Sequence, residues 1–516
     1  MVLRSLHRLA DLRGWRALAT AAVLGMVSAT ALPPVHALPV LLLAVPALLV
    51  MLGAQGGVRG ALRVGFWFGF GHHLVGLYWI TEAILIESAR FWWLVPLAVP
   101  ALAAVLALFI AAPCGAARLV PPGWRRLAVL AGGWGLADIA RQFVATGFPW
   151  NPWGSVWAVP GPIGDVMLQP ASLVGVHGLT LATLLLAATP LFGRRAMLAG
   201  LAGLLAWVGI GIWRLGQPAS ASPGVTVVLV QGNVPQGQKW DRAVTASIFS
   251  RYLSLTRSAV AGLGAAPAVV IWPETASPYL LDIDNTAREM IAEATRRDDG
   301  TAVPALVGTV RFDADRRPYN SLMALQGSAP VAVYDKSHLV PFGEYQPGWM
   351  PLPIQVVPGG GFRAGPGPVT LRVPGLPPFS PLICYEAIFP GQVIFARDRP
   401  RWIVTVTNDA WFGNSTGPRQ HLAAARLRAV EEGLPLARAA NTGISAAYDA
   451  FGRELGRLGM GVTGTLAVTL PGHLDAPLFA RAGLWLPGGL AVLLVGLGCA
   501  RRARGDNFEA ADPTIS

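Results

Sequence analysis

Seven long apolar runs fill the first 215 positions, near 15–32, 37–54, 64–85, 92–113, 124–143, 165–190 and 196–214. An eighth lies near 479–499. A helix needs roughly 20 mostly apolar residues to cross a bilayer, so the pattern predicts an α-helical membrane bundle of about eight spans. The first run follows Arg13 and Arg16 and ends near Ala31, as a signal peptide would. Further spans follow at once, which favours a retained helix. The fifth run contains Asp138 and Arg141, which at i, i+3 pair across one helical turn or face the bundle interior.

The pattern changes after Gln217–Gly224, a polar Pro/Ser/Gly linker. Short strand-like runs follow at Val225–Val230, Ala268–Trp272, Ala305–Arg311, Ser321–Leu325, Val331–Tyr334, Pro381–Cys384, Trp402–Thr407 and Ile444–Tyr448. Helix-like segments lie among them at Ala243–Ala261 and Thr286–Arg297. Strands alternating with helices over about 250 residues predict one α/β domain. The expected organisation is membrane helices 1–7 over residues 1–215, a linker at 216–224, an α/β domain at 225–473, an eighth helix at 474–500 and a tail at 501–516.

Composition supports the bilayer. Hydrophobic residues make up 53% and charged residues 13%, against roughly 25% charged in average chains. The net charge of +12 could suit nucleic acid. The arginines, however, cluster beside the apolar runs: Arg4, Arg8, Arg13 and Arg16, then Arg59 and Arg63, then Arg118, Arg125 and Arg126, then Arg194 and Arg195, and last Arg501, Arg502 and Arg504. Every second connection is basic, as the positive-inside rule requires. Both termini are then cytoplasmic, and residues from about 220 to 475 lie on the other face.

Three cysteines change the picture further. Cys114 and Cys499 lie inside apolar runs and read as packing residues. Cys384 is the lone thiol of the α/β domain, so it forms no disulfide there. It ends the strand-like Leu382-Ile383-Cys384. Two other strands also end in charge: Val270-Ile271-Trp272-Pro273-Glu274 in a carboxylate, and Tyr334-Asp335-Lys336 in an ammonium. A loop from Lys336 reaches a second carboxylate, Glu344. In open α/β sheets functional groups gather beyond the carboxyl ends of strands.

Such a meeting suits acyl transfer. A carboxylate can take the thiol proton. An ammonium lowers the thiol pKa and stabilises an oxyanion, as does the backbone N–H of Tyr385. The product is a thioester that a second nucleophile resolves. Taken singly, each residue has a plainer reading: Cys384 as a core filler, Glu274 as a helix N-terminal charge, Lys336 as a surface charge. Together, each charge abuts a strand that looks buried. No Cys/His cluster has zinc spacing. Gly359-Gly360-Gly361 lacks the Lys and Ser/Thr of a phosphate loop, so neither metal nor cofactor is expected.

These segments resemble the nitrilase (carbon–nitrogen hydrolase) superfamily, and the resemblance covers about residues 225–470. Fused to a multi-span region, the chain resembles the bacterial apolipoprotein N-acyltransferase family. The narrower match rests on Gly232-Asn233 with Gln238-Lys239-Trp240, Pro341-Phe342-Gly343-Glu344-Tyr345, Thr407-Asn408-Asp409-Ala410-Trp411-Phe412-Gly413, Gly417-Pro418-Arg419-Gln420-His421 and Ala440-Asn441-Thr442-Gly443. In the membrane part, Gly69-Phe70-Gly71, Tyr78-Trp79 and Gly147-Phe148-Pro149-Trp150 also fit. His72-His73 departs from the pattern and reads as helix packing.

The resemblance implies an αββα sandwich with Glu274 as base, Lys336 as oxyanion and pKa partner, and Cys384 as nucleophile. Glu344 would orient Lys336 or share the base role, and Tyr385 and Glu386 would shape the site. Trp240, Trp411 and Trp150 are candidates to contact substrate, while His421 reads as structural. It further implies ping-pong transfer of a fatty acyl chain from a membrane phospholipid to the N-terminal amine of diacylglyceryl-cysteine apolipoproteins. This would take place at the bacterial inner membrane, with the catalytic domain on the periplasmic side. The rivals are a membrane-tethered amidase that uses water, and a transporter with an inactive α/β cap.

Overall fold

A computed structural model describes residues 8–86, 88–239, 243–348 and 361–500. Trp240, Gly359, Gly360 and the tail from Arg501 lie outside the described residues. Each of the eight apolar runs contains a helix: Gly14–Ala29, Leu41–Ala54, Val58–Gly76, Val95–Ala117, Trp124–Ala140, Ala171–Ala188, Gly193–Leu215 and Trp485–Cys499. Two runs are less continuous than the hydropathy suggested. The third stops at Gly76 and resumes as the short helix Ile80–Leu85. The sixth starts as Pro162–Leu168 and is broken again at Gly175, where φ is 64° and ψ 175°. By length and composition, the helical stretches Trp92–Ala117 and Ala171–Leu215 are long and apolar enough to cross a membrane. Gly14–Ala29, Leu38–Ala54 and Trp485–Cys499 are shorter apolar helices.

Glycines set how closely the helices approach. A Cβ on Gly71 would lie 2.0 Å from the Ala22 carbonyl oxygen, and one on Gly25 would lie 1.9 Å from that of Phe68. Helices Gly14–Ala29 and Val58–Gly76 therefore touch backbone to backbone, the packing that small residues permit where the hydrophobic effect is weak. Asp138 and Arg141 pair at 2.9 Å, and Arg141 also donates to the Trp150 carbonyl at 3.3 Å. His72 bonds Ser28 at 2.9 Å and accepts from Trp153 at 3.3 Å, a packing role among helices. Cys114 is buried; Cys499 is exposed on its helix rather than packed.

Among the described residues the α/β part holds eleven strands: β1 (Thr226–Gln231), β2 (Ala268–Ile271), β3 (Ala305–Phe312), β4 (Pro318–Gln326), β5 (Ala329–Asp335), β6 (Phe379–Ile383), β7 (Trp402–Thr407), β8 (Leu436–Ala440), β9 (Ser445–Tyr448), β10 (Glu454–Leu458) and β11 (Gly464–Thr469). One sheet runs β11-β1-β2-β3-β4-β5 and the other β10-β9-β8-β7-β6. Within them β1-β2-β3 and β6-β7-β8 are parallel. Side chains alternate along a strand. On β1, Val227 and Leu229 face the second sheet with Phe379, Ile383, Val404 and Val406, while Val228 and Val230 face helices Thr245–Ala261 and Asn285–Ala294. Helix Gly417–Glu432 covers the outer face of the second sheet through Leu422, Ala425 and Ala429. The result is the expected αββα order of layers. Strands β8, β10 and β11 and helix Gly417–Glu432 were not anticipated.

Candidate active site

The site forms where strands stop. Glu274 lies three residues past β2, and Gly308 on β3 makes room for it. A Cβ there would lie 2.0 Å from the Pro273 carbonyl oxygen and 2.8 Å from the Glu274 Cα. Lys336 follows β5 directly and Cys384 follows β6 directly. Strand β5 is antiparallel to β4, which is antiparallel to β3, so β5 runs along β2 and the two ends face the same way. Thr275 has φ 44° and Cys384 φ 52°. Such values are strained for a β-branched residue and for a cysteine, and residues of this kind cluster at functional sites.

The charged groups are buried together. Lys336 Nζ donates to Glu274 Oε1 at 3.1 Å and to Glu344 Oε1 at 2.8 Å. Asn320 Nδ2, on β4, bridges the same two carboxylates at 2.7 and 2.9 Å. Its amide must point its nitrogen this way, because the oxygen would face two anions. The Asn408 backbone N–H donates to Glu274 Oε2 at 2.8 Å, and that of Val340 to Glu344 Oε2 at 2.8 Å. An ammonium has three donors; two go to the carboxylates and one remains for a reacting oxygen.

Electrostatics assign each group a state. Burial pushes the Glu274 carboxyl up, but Lys336 and Lys239 outweigh it and hold it below its ordinary value. Burial works against the Lys336 charge, yet Glu274 and Glu344 outweigh it and hold the ammonium firmly protonated. Glu344 is raised, first by burial and then by Glu274, against the pull of Lys336. The expectation for the thiol needs correction. Burial first, and then the Glu274 and Asp409 charges, push Cys384 well above an ordinary thiol; Lys336 and Thr407 only oppose this. At rest the thiol is therefore protonated.

Neighbouring residues hold Cys384 in position. Glu386 links the Cys384 turn to the Lys336 loop: Oε1 accepts from Tyr334 at 2.6 Å and from the Ser337 backbone N–H at 2.7 Å, while Oε2 accepts from the Ile383 N–H at 2.7 Å. Tyr385 Oη donates to the Gly147 carbonyl at 2.7 Å, joining the Cys384 turn to the segment Gly147–Trp150 of the N-terminal helical region. Its backbone N–H sits in the first turn of the 3-10 segment Cys384–Ile388, where helix donors lack an intrahelical partner.

His421, which reads as structural in the sequence, places its Nε2 2.9 Å from the Cys384 carbonyl oxygen and its Nδ1 2.9 Å from Asp409 Oδ1. Arg438 pairs with Asp409 Oδ2 at 2.8 Å. Side-chain donor atoms of Cys384, Asp409 and His421 lie within 4.8 Å of one another. Both imidazole nitrogens are engaged and a guanidinium faces Asp409, so the group reads as a positioning network rather than a metal centre. It holds Cys384 by its main chain.

The aromatic candidates differ. Trp150 is 3% exposed. It donates to Gln420 Oε1 at 2.9 Å, beside Trp79, which donates to the same oxygen at 3.1 Å. Trp150 is thus a packed joint between the N-terminal helical region and helix Gly417–Glu432, not an open entrance residue. Trp411 is half-buried. Trp240 lies outside the described residues. Asn320 and Arg438 were not singled out in advance, and Lys239 and Gln420 stood only inside quoted segments with no role assigned; no local pattern marks which distant side chains a polar group will meet.

Two facing sheets with a buried carboxylate, ammonium and thiol at their strand ends define a carbon-nitrogen hydrolase-type domain. Residues 226–474 match the family described as Carbon-nitrogen hydrolase, and residues 24–189 match the Apolipoprotein N-acyltransferase N-terminal domain. A relative from Rhodopseudomonas palustris, named apolipoprotein N-acyltransferase, is 38% identical over 521 residues, covering 93% of this chain and 94% of its own. One of the same name from Sinorhizobium medicae is 41% identical over 459 residues, covering 84% and 85%. A solved carbon-nitrogen hydrolase from Helicobacter pylori is 14% identical and covers 54% of this chain and 95% of its own at a TM-score of 0.36; nothing below depends on that likeness. The chain belongs to the apolipoprotein N-acyltransferase family, acyltransferases of the carbon-nitrogen hydrolase superfamily.

Proposed function

We propose that this protein moves a fatty acyl chain from a membrane phospholipid to the N-terminal amine of diacylglyceryl-cysteine lipoproteins, through a thioester on Cys384. The carrying observation is the buried Glu274–Lys336–Glu344 cluster at the strand ends that also present Cys384. Glu274 takes the Sγ proton as sulfur attacks the ester carbonyl. Lys336 and the Tyr385 N–H receive the oxyanion. The glycerol oxygen leaves with the proton from Glu274, and the acyl chain stays on sulfur. The acceptor amine then attacks the thioester carbonyl, Glu274 takes the amine proton, and the thiol is restored as the amide forms. Glu344 orients Lys336, Glu386 braces the nucleophile turn, and Trp411 and Trp240 are the remaining candidates to contact the acyl chain.

The setting follows from the apolar runs and the arginine alternation. The reading is eight spans, with 1–215 and 474–500 in the membrane and 225–473 as the catalytic domain, joined by the linker 216–224. The domain faces the periplasm, and both termini face the cytoplasm of a bacterial inner membrane. A reporter fused near Ser222 is expected to behave as exported and one fused after residue 504 as cytoplasmic. The reverse pattern would remove both the topology and the lipoprotein substrate.

A tethered thiol suits a donor whose ester carbonyl lies at the bilayer surface, and the thioester must outlast water until the amine arrives. Intact-mass measurement with phospholipid alone is expected to show a stable acyl adduct on Cys384. A diacylglyceryl-cysteinyl peptide is expected to discharge it. Steady release of free fatty acid with no adduct would instead mark a hydrolase.

A further inference from the structure

Four ionisable side chains surround the thiol's proton acceptor, and the reaction above uses only three. The unused one is Lys239. It follows the short 3-10 turn Gln236–Gln238 on the loop after β1 and is 6% exposed. Its Nζ donates to the Glu274 carbonyl oxygen at 2.9 Å. The same loop is tied a second way: Asn408 Nδ2 donates to Gln236 Oε1 at 2.6 Å, while the Asn408 backbone N–H holds Glu274 Oε2 at 2.8 Å. Lysine is almost never this buried unless paired, and one neutral carbonyl is a poor partner for an ammonium. Among the described residues, the ionisable groups that face it are the Glu274 carboxylate and the Cys384 thiol, with Lys336 and Glu344 beyond Glu274. Burial pulls Lys239 down to about 8 even so, with Glu274 and Cys384 opposing.

Counting charge shows what it does. Ionised Glu274 and Glu344 bring two negatives, and Lys336 one positive. Without Lys239 the buried cluster holds one uncompensated negative charge, an expensive state in a low-dielectric site. With Lys239 it is neutral. When Cys384 reacts, its S–H bond breaks and an O–H bond forms on Glu274. Sulfur takes up the negative charge that Glu274 gives up, so the total stays at zero throughout the transfer.

We propose that Lys239 is a positioning residue for acyl transfer: its ammonium tethers the Glu274 segment and neutralises the second carboxylate, so that Glu274 remains ionised and able to accept the Cys384 proton. This rests on the reading of Glu274 as base and Cys384 as nucleophile. The kcat/KM of the full-length protein should be followed against pH for the wild type, Lys239→Met and Lys239→Gln. Both variants are expected to move the acid limb upward by about one pH unit, because Glu274 loses a cation that keeps it ionised, and Lys239→Met, which also loses the tether, is expected to fall about tenfold in kcat/KM at neutral pH. Lys239→Gln can still donate to the Glu274 carbonyl. It therefore separates charge from tether, and it keeps the loop attached should Lys239→Met fail to fold. An acid limb that stays at the wild-type pH in Lys239→Gln overturns the proposal, whatever the rate. Failure of the underlying reading would show elsewhere, as full activity in Glu274→Gln or Cys384→Ala.

Discussion

Replacing Cys384 with alanine or serine is expected to abolish acyl transfer, by at least about 10³-fold, the scale of losing a covalent nucleophile. The protein should still fold. The turn that carries Cys384 is held where its carbonyl oxygen accepts from His421 and where Glu386 accepts from the Ile383 N–H, and neither bond involves sulfur. Serine keeps the volume, but its hydroxyl is a far weaker acid than a thiol already raised by burial, and Glu274 cannot deprotonate it efficiently. Intact mass after exposure to phospholipid should show no adduct in either variant, and the helical circular dichroism should match the wild type. Near-normal transfer by Cys384→Ala would exclude a thioester.

Removing Lys336 should affect stability as well as rate. Lys336→Met leaves Glu274 and Glu344 facing each other across Asn320 with no cation between them. Breaking a buried pair in this way typically destabilises by about 3–5 kcal/mol, and turnover should fall at least about 10²-fold with the oxyanion donor gone. Lys336 is held above its ordinary value, so its contribution to stability is complete below the unfolded lysine value of about 10.4 and is lost only as pH rises through the folded one. The loss should therefore be undiminished at pH 7. Adding Glu344→Gln to Lys336→Met removes the unpaired charge and is expected to restore much of the thermal stability but none of the turnover. Lys336→Arg should fail too, since a planar guanidinium does not fit where a compact ammonium bonds two carboxylates. A Lys336→Met protein as stable and nearly as active as the wild type would contradict the assigned role. Glu274→Gln keeps the shape and should lose at least about 10²-fold in rate with a smaller change in stability.

Much of this was legible in the chain. Apolar runs of membrane length specify helices whatever their neighbours, because a bilayer leaves backbone groups no other partner; all eight runs contain one. Strands ending in Glu274, Lys336 and Cys384 announced themselves because a charge or thiol interrupts a run of Val and Ile.

Other features had no local mark. Strand β8, Leu-Ala-Arg-Ala-Ala, looks neither apolar nor branched, and it is a central strand only because Arg438 finds Asp409 inside the fold. Helix Gly417–Glu432 is buried on nearly every side, so it shows no amphipathic period. Its buried charges are met by residues from the membrane segments, as when Glu431 accepts from the Val176 N–H at 2.7 Å.

The sequence by itself thus determined the apolar helices and the α/β domain, the three strand ends that carry Glu274, Lys336 and Cys384, and the family they belong to, because burial pattern and residue chemistry are properties of short segments. Only the tertiary structure decided the protonation of Cys384, the seat of Lys239 beside Glu274, the grip of His421 on the nucleophile's main chain and the packing of Trp150. Each depends on which distant side chains share a low-dielectric space, where a few ångströms decide whether a charge is compensated.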